Sequence, residues 1–234
     1  MNNNLNFEVK NPKWLWLVRH GESTSNLARR RAESENLLTI DFPEREMDVP
    51  LTENGIGQSV RLGDWFAELD EKPTIIYSSP YLRTKESARL IAETAQFENV
   101  KIFYDERLRE REFGIFDRLT WRGSREKFPE EMEKRAALGK FYYRPPNGES
   151  WCDLAFRIRS AWRDIREDFA GENIMIVTHE AVIRIFRYVL ENLSEEEILA
   201  IDKIGDVQNC AVTSYNFETE ARKFVLRHDN FCVR

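Results

Sequence analysis

The sequence is poor in cysteine and histidine, and it has no long hydrophobic run. Its cysteines, Cys152, Cys210 and Cys232, show no CxxC spacing, so we expect reduced thiols in a cytoplasmic protein and no disulfide framework. The histidines lack the HExxH spacing typical of zinc sites, so we expect no bound metal. No stretch approaches the length of a membrane span, and Met1–Asn4 lacks the features of a signal peptide, so we expect no membrane partner.

The composition is that of a globular protein without a strong charge bias. The chain has 234 residues, of which 41% are hydrophobic and 32% charged, and its net charge is −6. An acidic surface does not attract nucleic acid, so we expect no nucleic-acid partner, and a phosphate site would have to be a local basic pocket. We expect one domain over residues 1–234, with a polar tail at 1–12 and either a monomer or a homodimer.

Short apolar runs alternate with amphipathic stretches along most of the chain. This alternation predicts an α/β protein, a three-layer α/β/α sandwich with a mostly parallel sheet. The predicted strands are Lys13–Arg19, Thr74–Tyr77, Val100–Tyr104, Asn173–Val177, Cys210–Asn216 and Lys223–Leu226. The predicted helices cover Ile56–Leu69, a stretch from Ser79-Pro80 to Gln96, one or two helices in Trp121–Lys140, Glu149–Phe169, Glu180–Leu190 and a short helix capped by Ser194.

Two histidines and two arginines follow the ends of predicted strands. Arg19 and His20 come directly after one apolar run, and His179 comes directly after another. Arg83 lies in the first turn of the helix that follows the strand Thr74–Tyr77. Open α/β sheets bind ligands beyond the carboxyl ends of their strands, and arginine matches a phosphoryl group bidentately. The pattern favours a phosphate site over four unrelated surface side chains.

A proton donor for such a site is expected in the charged loop after the third predicted strand. Glu110 lies in this loop and can protonate a leaving oxygen. Glu106, Glu112 and Asp117 lie in the same region, and the pattern by itself does not choose among the four acids. A solvated acidic loop is an equally good interpretation of these residues alone.

Six short motifs, taken together, resemble those of the histidine phosphatase superfamily, the phosphoglycerate-mutase-like proteins. One RHG triplet would be weak evidence, whereas the ordered set over residues 15–184 is strong. The motifs are Arg19-His20-Gly21-Glu22-Ser23 with Asn26, Pro50-Leu51-Thr52-Glu53-Asn54-Gly55, Ser78-Ser79-Pro80-Tyr81-Leu82-Arg83-Thr84, Leu108-Arg109-Glu110 with Phe113-Gly114, Gly148-Glu149-Ser150, and Val177-Thr178-His179 with Val182-Ile183-Arg184.

The resemblance implies a role for each candidate residue. It implies a phosphohistidine intermediate on a neutral nucleophilic histidine, with charge stabilisation by arginine and histidine and without magnesium or another cofactor. The implied substrate is a phosphorylated small molecule or a phosphoprotein. The implied catalytic residues are His20, Glu110, Arg19, Arg83 and His179, and the implied phosphate-binding residues are Arg19, Asn26, Arg83 and His179.

The sequence departs from the family pattern at two places. Glu180 follows His179 where members commonly have glycine, and we expect this carboxylate either to raise the pKa of His179 or to narrow the pocket. Asp117-Arg118 stands where many members have Glu-Gly. Both departures bear on substrate and rate more than on the core chemistry.

Three activities remain open at this point. The acid loop lacks the ERHYG-like segment of the mutases, which favours a phosphatase over a phosphoglycerate mutase. A catalytically weak protein that binds phosphorylated ligands is the third possibility. We expect a helical insertion at about 121–144 to border the pocket, and with Arg29–Arg31 it is a candidate for substrate selection. Packing of the insertion and a solvated helix face explain these two features equally well.

Overall fold

The computed structural model describes residues 11–233, and a six-stranded sheet is its central element. Most of the predicted polar tail at 1–12 therefore lies outside the described residues. The strands are β1 (Trp14–Arg19), β2 (Ile75–Ser78), β3 (Lys101–Tyr104), β4 (Asn173–Thr178), β5 (Val212–Glu218) and β6 (Lys223–Phe231). Their spatial order is β3-β2-β4-β1-β5-β6. The first four strands pair in parallel, and β5 pairs antiparallel with both of its neighbours, β1 and β6.

Eight α-helices accompany the sheet within the described part of the chain. They are α1 (Thr24–Ser34), α2 (Glu53–Ala67), α3 (Leu82–Thr94), α4 (Trp121–Lys127), α5 (Pro129–Tyr142), α6 (Trp151–Asp168), α7 (Glu180–Leu190) and α8 (Glu195–Ile204). Helix α5 is kinked at Gly139, where φ is 80°. The α/β class and the mostly parallel sheet are as predicted. No helix among residues 11–233 is long and apolar enough to cross a membrane.

The central strands are apolar on both faces because helices cover both faces of the sheet. In β1, Leu15 and Leu17 pack with α6 on one face, while Trp16 and Val18 pack with α2 and α3 on the other. All six residues of β4 are buried. A strand buried on both sides shows a continuous apolar run and not an alternation, which is why these two strands are visible in the sequence.

Helix α3 begins later than predicted. The prediction placed its start at Ser79-Pro80, with the serine as cap, whereas the helix begins at Leu82 after Tyr81. The Ser79 hydroxyl lies 2.9 Å from the Nε2 atom of His179. It also accepts a bond from the Tyr81 amide at 3.4 Å. Tertiary contact with the histidine thus replaces the helix cap that the local sequence favoured.

The chain after β1 is held against the start of α2. Thr52 caps α2, and its hydroxyl also donates to the Glu22 carboxylate at 2.7 Å. A Cβ on Gly21 would meet the Gly55 carbonyl oxygen at 2.5 Å, and a Cβ on Gly55 would meet the backbone carbonyl oxygen of Glu22 at 2.0 Å. Only glycine permits this approach. The second motif therefore fixes the turn that carries His20.

The remaining boundaries differ by a few residues for local reasons. Strand β5 begins at Val212 and not at Cys210, because Cys210 adopts a positive φ of 55°. Helix α6 begins at Trp151, since Ser150 and Asp153 form a capping box. Helices α4 and α5 occupy the stretch predicted as an insertion. The single-domain organisation stays a prediction.

Candidate active site

The pairing of β1 with β4 brings the two strand-end histidines together. Arg19 is in register with Thr178, and the His20 amide donates to the Thr178 carbonyl at 3.0 Å. The imidazole ring centroids of His20 and His179 are 5.2 Å apart. Parallel neighbours end at the same edge of a sheet, so the two imidazoles lie side by side there; His20 lines the cavity at this edge, and His179 is fully buried next to it.

Hydrogen-bond partners assign the tautomer of His20. Its Nδ1 lies 2.7 Å from the Gly21 carbonyl oxygen, which can only accept, so Nδ1 carries the proton. The Nε–H of Arg83 donates to Nε2 at 3.3 Å, so Nε2 carries the lone pair. Burial lowers the pKa of His20 well below its usual range, and the charges of Arg83 and Arg19 lower it further. The result is a neutral imidazole whose unprotonated Nε2 accepts a bond from Arg83.

His179 is fully buried beside His20 and is also neutral. Desolvation lowers its pKa well below the usual range, and Arg83 and His20 are the next causes. The pKa of His179 is thus lowered and not raised, and Glu180 pairs with Arg19 and Arg184 while it lines the cavity, as the alternative of a narrower pocket requires. The Nδ1 atom of His179 is buried and has no hydrogen-bond partner among the described residues. An unsatisfied buried nitrogen in a polar crevice is available to a ligand oxygen.

The Nε atom of Arg19, like Nδ1 of His179, is buried and has no hydrogen-bond partner among the described residues. One terminal nitrogen donates to the Val207 carbonyl and lies 3.4 Å from Glu180 Oε2. Burial raises the pKa of Glu180, which the charge of Arg19 opposes. Glu180 also lines the cavity at this point. Glu180, which stands where family members commonly have glycine, therefore pairs with Arg19, a candidate phosphate-binding residue.

Arg83 reaches the crevice from the first turn of α3 and is 3% exposed. Besides its contact with His20, Nη1 donates to the Glu46 carbonyl at 2.6 Å and Nη2 to Glu46 Oε1 at 2.8 Å. Burial raises the pKa of Glu46, the Arg83 charge opposes this, and Asp117 and Glu110 raise it further. Each of the two candidate clamp arginines is therefore paired with one carboxylate.

Asn26 lies on α1 with its amide oxygen already engaged. This oxygen accepts from the Ser23 amide at 3.2 Å and from Asn209 Nδ2 at 3.1 Å. The same Asn209 amide group donates to the His20 carbonyl at 3.0 Å. Because its oxygen has donors, Asn26 offers its NH₂ group to an anion.

Two of the four candidate acids line the cavity and two do not. Glu110 and Asp117 line it, whereas Glu106 and Glu112 do not. The Glu110 loop is tied to the turn at Glu149: the Glu149 amide donates to the Glu112 carbonyl, and the Glu112 amide donates to the Glu149 carboxylate. Glu110 Oε1 itself accepts from the following backbone amide at 2.8 Å. The structure thus reduces four acids to two.

The segment that carries Glu46 is held in place by Arg118. Its guanidinium donates to the carbonyls of Phe42 and Glu44, each at 2.6 Å, and stacks 4.2 Å from the Phe42 ring centroid. Arg118 has a φ of 55°, which costs on the order of 1 kcal/mol in a non-glycine residue. Two bonds from a charged donor contribute about 1.5–3 kcal/mol each. The contacts therefore outweigh the backbone strain at this second departure from the family pattern.

The cavity has a volume of about 560 Å³ and extends from His20 to the α4–α5 region. Trp121 and Lys140 line it from that region. Phe141 and Tyr143 are instead buried in packing contacts. From the arginine triplet, Arg29 and Arg30 line the cavity, whereas Arg31 pairs with Glu35 at 2.9 Å. Within residues 11–233 there is no group of three or more His, Cys, Asp or Glu side chains placed to hold a metal.

The sequence analysis missed several residues that contact the candidates. Glu46 and Asn209 lie in loops without a periodic pattern, and neither has a local signal that points to the crevice. Arg157 of α6 donates to the Glu110 carbonyl at 3.1 Å and to Glu149, a contact across 47 positions of sequence. Glu149 belongs to the motif Gly148-Glu149-Ser150, so the sequence pointed to its position but not to its contacts.

Comparisons with known proteins show the family of the chain. The family described as histidine phosphatase superfamily (branch 1) matches residues 15–230. A metal-independent phosphoserine phosphatase of Arabidopsis thaliana is 32% identical over 168 residues, 72% of this chain. That match spans only 64% of the plant protein. The 2,3-bisphosphoglycerate-dependent phosphoglycerate mutase 2 of Gloeobacter violaceus is 28% identical over 211 residues, covering 88% of this chain and 86% of the mutase.

Solved structures share the fold. Bacillus stearothermophilus YhfR superposes with a TM-score of 0.72 at 25% identity, covering 93% of this chain and 96% of its own. A mycobacterial glucosyl-3-phosphoglycerate phosphatase superposes with a TM-score of 0.70 at 21% identity, covering 95% of this chain and 100% of its own. At that identity the second likeness concerns the fold alone.

Proposed function

This chain belongs to the histidine phosphatase superfamily, branch 1, and we propose that within it the protein is a metal-independent phosphomonoesterase acting on a phosphorylated small molecule. The relatives include both phosphatases and a mutase, so the activity has to be argued from the crevice. The acid loop Glu110–Gly114, which lacks the ERHYG-like segment of the mutases, favours hydrolysis. The observation that carries the phosphoryl-transfer chemistry is the tautomer of His20. A neutral imidazole with its lone pair on Nε2, beside the buried Arg83 and the half-buried Arg19, is a nucleophile prepared for a phosphoryl group.

In the first proposed step, Nε2 of His20 attacks phosphorus in line with the leaving oxygen. The N–P bond forms as the P–O bond breaks, and Glu110 delivers a proton to the leaving oxygen. The Gly21 carbonyl accepts from Nδ1–H and stabilises the positive charge that develops on the ring. Arg19, Arg83, Asn26 and the unpartnered Nδ1 side of His179 surround the equatorial oxygens. For that last contact His179 needs its proton on Nδ1, and the Ser79 hydroxyl then donates to Nε2.

In the second proposed step, the phosphohistidine is hydrolysed. Glu110 is now a carboxylate and removes a proton from the attacking water. The P–O bond to water forms as the N–P bond breaks, which returns His20 to its neutral state and releases inorganic phosphate. Glu110 ends protonated, as it began, so one residue serves as acid and then as base.

The test is phosphate release in EDTA across pH 5 to 8. The panel contains an aryl phosphate, phosphoserine, sugar phosphates, nucleotides and glycerate phosphates. We expect turnover without added metal, and the ranking of substrates identifies the leaving group that the cavity accepts. Loss of activity in EDTA that returns with a divalent cation would contradict metal independence.

A phosphoglycerate mutase is the second candidate, because the Gloeobacter mutase aligns with 88% of this chain. A mutase has to retain its phosphoryl group and exclude water. Isomerisation of phosphoglycerate without phosphate release would favour it. Absence of both reactions, combined with tight binding of phosphate, would instead favour a protein that binds phosphorylated ligands.

A further inference from the structure

Glu46 contacts Arg83 twice and has no part in the proposed acid–base steps. Its backbone carbonyl accepts from Nη1 at 2.6 Å, and its carboxylate oxygen Oε1 accepts from Nη2 at 2.8 Å. On the other side of the guanidinium, Nε donates to Nε2 of His20 at 3.3 Å. Arg83 therefore lies between a carboxylate and the proposed nucleophile.

The shape of the guanidinium decides what these contacts do. The group is planar and its N–H bonds point along fixed directions, so each pair of adjacent nitrogens forms one edge. Glu46 occupies the edge formed by Nη1 and Nη2. The edge formed by Nε and the second N–H of Nη2 is turned to His20, and such an edge binds two phosphoryl oxygens at once.

We infer that Glu46 is a positioning residue, which holds Arg83 so that its Nε edge faces the Nε2 atom of His20. The inference rests on the proposed function, since it assigns Glu46 a role at the same phosphate-binding crevice. It names a residue that acts on the reaction through Arg83 and not by touching the phosphoryl group.

A carboxylate on a phosphate-binding arginine can also act as a competitor that the substrate has to displace. The contacts argue against that role here. They lie on the edge away from His20, so a phosphoryl group and Glu46 can bind Arg83 together. One of the two acceptors is a backbone carbonyl, which leaves Arg83 only if the whole turn Glu46–Asp48 moves.

That turn is itself anchored. Arg118 donates to the carbonyls of Phe42 and Glu44 and stacks on the Phe42 ring. Phe42 packs with Ala32, Ile40 and Val49 in a small apolar cluster. The support therefore runs from Arg118 through residues 42–46 to Arg83 and His20, and it begins at a position where the family pattern has glycine.

The experiment compares Glu46→Ala and Glu46→Gln with Asp48→Ala. Asp48 is the matched control, because it lies on the same turn and pairs with the exposed Arg45. Orthovanadate and inorganic phosphate binding are measured by calorimetry, and hydrolysis of an aryl phosphate is measured in EDTA. We expect Glu46→Ala to weaken binding about tenfold and to lower kcat/KM by about 10- to 100-fold, the cost of a misplaced group. Glu46→Gln keeps an acceptor oxygen and should stay within about threefold of wild type, as should the control.

Arg118→Gly tests the other end of the support. Glycine accepts the positive φ without strain, so the variant removes the grip on residues 42–46 and leaves the backbone intact. We expect weaker phosphate binding in the same direction as Glu46→Ala but smaller. Combined with Glu46→Ala, the loss should be less than the product of the two single losses, because both act through Arg83.

Three outcomes would overturn the inference. Tighter phosphate binding by Glu46→Ala would show a competitor, and equality of Glu46→Ala with the control would show no role in the clamp. In both cases an active wild-type enzyme leaves the proposed function intact. A wild-type protein that neither binds orthovanadate nor releases phosphate from any substrate would remove the proposed function together with this role.

Discussion

The two walls of the cavity differ in how they are built. The inner wall, His20, Arg19 and Arg83, comes from the end of β1 and the start of α3, and His179 is buried next to His20. Both histidines and Arg83 are at most 3% exposed. The outer wall, defined here by Arg29 of α1, Trp121 of α4 and Lys140 of α5, is far more open, with Trp121 46% exposed.

The two walls are therefore expected to have different roles: the inner wall carries the reaction, and the outer wall selects the substrate. Inner-wall groups are fixed by the register of a buried sheet, by hydrogen bonds to backbone atoms and, for Arg83, by the Glu46 carboxylate. Outer-wall groups are long side chains on helix surfaces, held by contacts with other side chains such as the pair of Lys140 with Asp202. We therefore expect substitutions of the inner wall to change rate or folding, and those of the outer wall to change the ranking of substrates.

The largest effect is expected for His20→Ala. Removal of the proposed nucleophile should lower kcat/KM by at least about 1,000-fold on every substrate of the panel. His228→Gln is the control, because it removes an imidazole that does not line the cavity. Substantial residual activity in a sample free of other phosphatases would remove His20 from the mechanism.

Glu110→Gln should have the next largest effect, and one that depends on the leaving group. An alkyl phosphate needs a proton on its leaving oxygen, whereas a nitrophenyl phosphate hardly does. We expect kcat to fall about 100-fold for the alkyl ester and only a few-fold for the aryl ester. Equal losses would indicate another acid, and Asp117 would be tested first because it also lines the cavity.

His179→Gln should change how stability depends on pH. The unfolded chain takes up a proton near pH 6.5, whereas the native imidazole does so only at a lower pH. Each such histidine therefore lowers the free energy of unfolding by up to about 1.4 kcal/mol per pH unit below 6.5, until its native pKa is reached. Urea unfolding at pH 7.5, 6.5 and 5.5 should show a steeper loss for wild type than for the variant. Parallel slopes would mean that His179 is not held neutral.

The smallest effect on basal turnover is expected for Arg29→Ala. Arg29 lines the cavity on an exposed face of α1, so a small aryl phosphate should lose less than about threefold in kcat/KM. Larger or more acidic substrates of the panel should lose more, which changes their order. Arg31→Ala is the matched control on the same helix, since Arg31 pairs with Glu35 outside the cavity. A uniform loss across the panel would place Arg29 in the inner wall.

The residues of the inner wall could be predicted because the signals that point to them are adjacent in the sequence. An apolar run, a glycine and a histidine stand together in the chain, and a buried parallel strand has to end where such a run ends. The sheet order was not needed for this, because parallel strands share one functional edge. The same reasoning placed Glu110 only within a loop, since a loop has no periodicity that directs one of its acids inward.

Other features required contacts between distant segments. The start of α3 moved to Leu82 because Ser79 is engaged by His179, 100 positions away. The lowered pKa of His179 reflects its burial and the nearby Arg83, His20, Arg19 and Arg157, which no local pattern reports. Glu46 on Arg83 and Arg118 on Phe42 likewise join segments 37 and 76 positions apart.

The sequence by itself determined the α/β class, the strand ends that carry His20 and His179, and the family. Those properties depend on runs and motifs that are continuous in the chain. Only the tertiary structure decided the tautomer of His20, the two acids that line the cavity and the support behind Arg83. Each of these depends on which polar atoms meet after folding, and hydrogen-bond geometry between distant segments has no counterpart in local spacing.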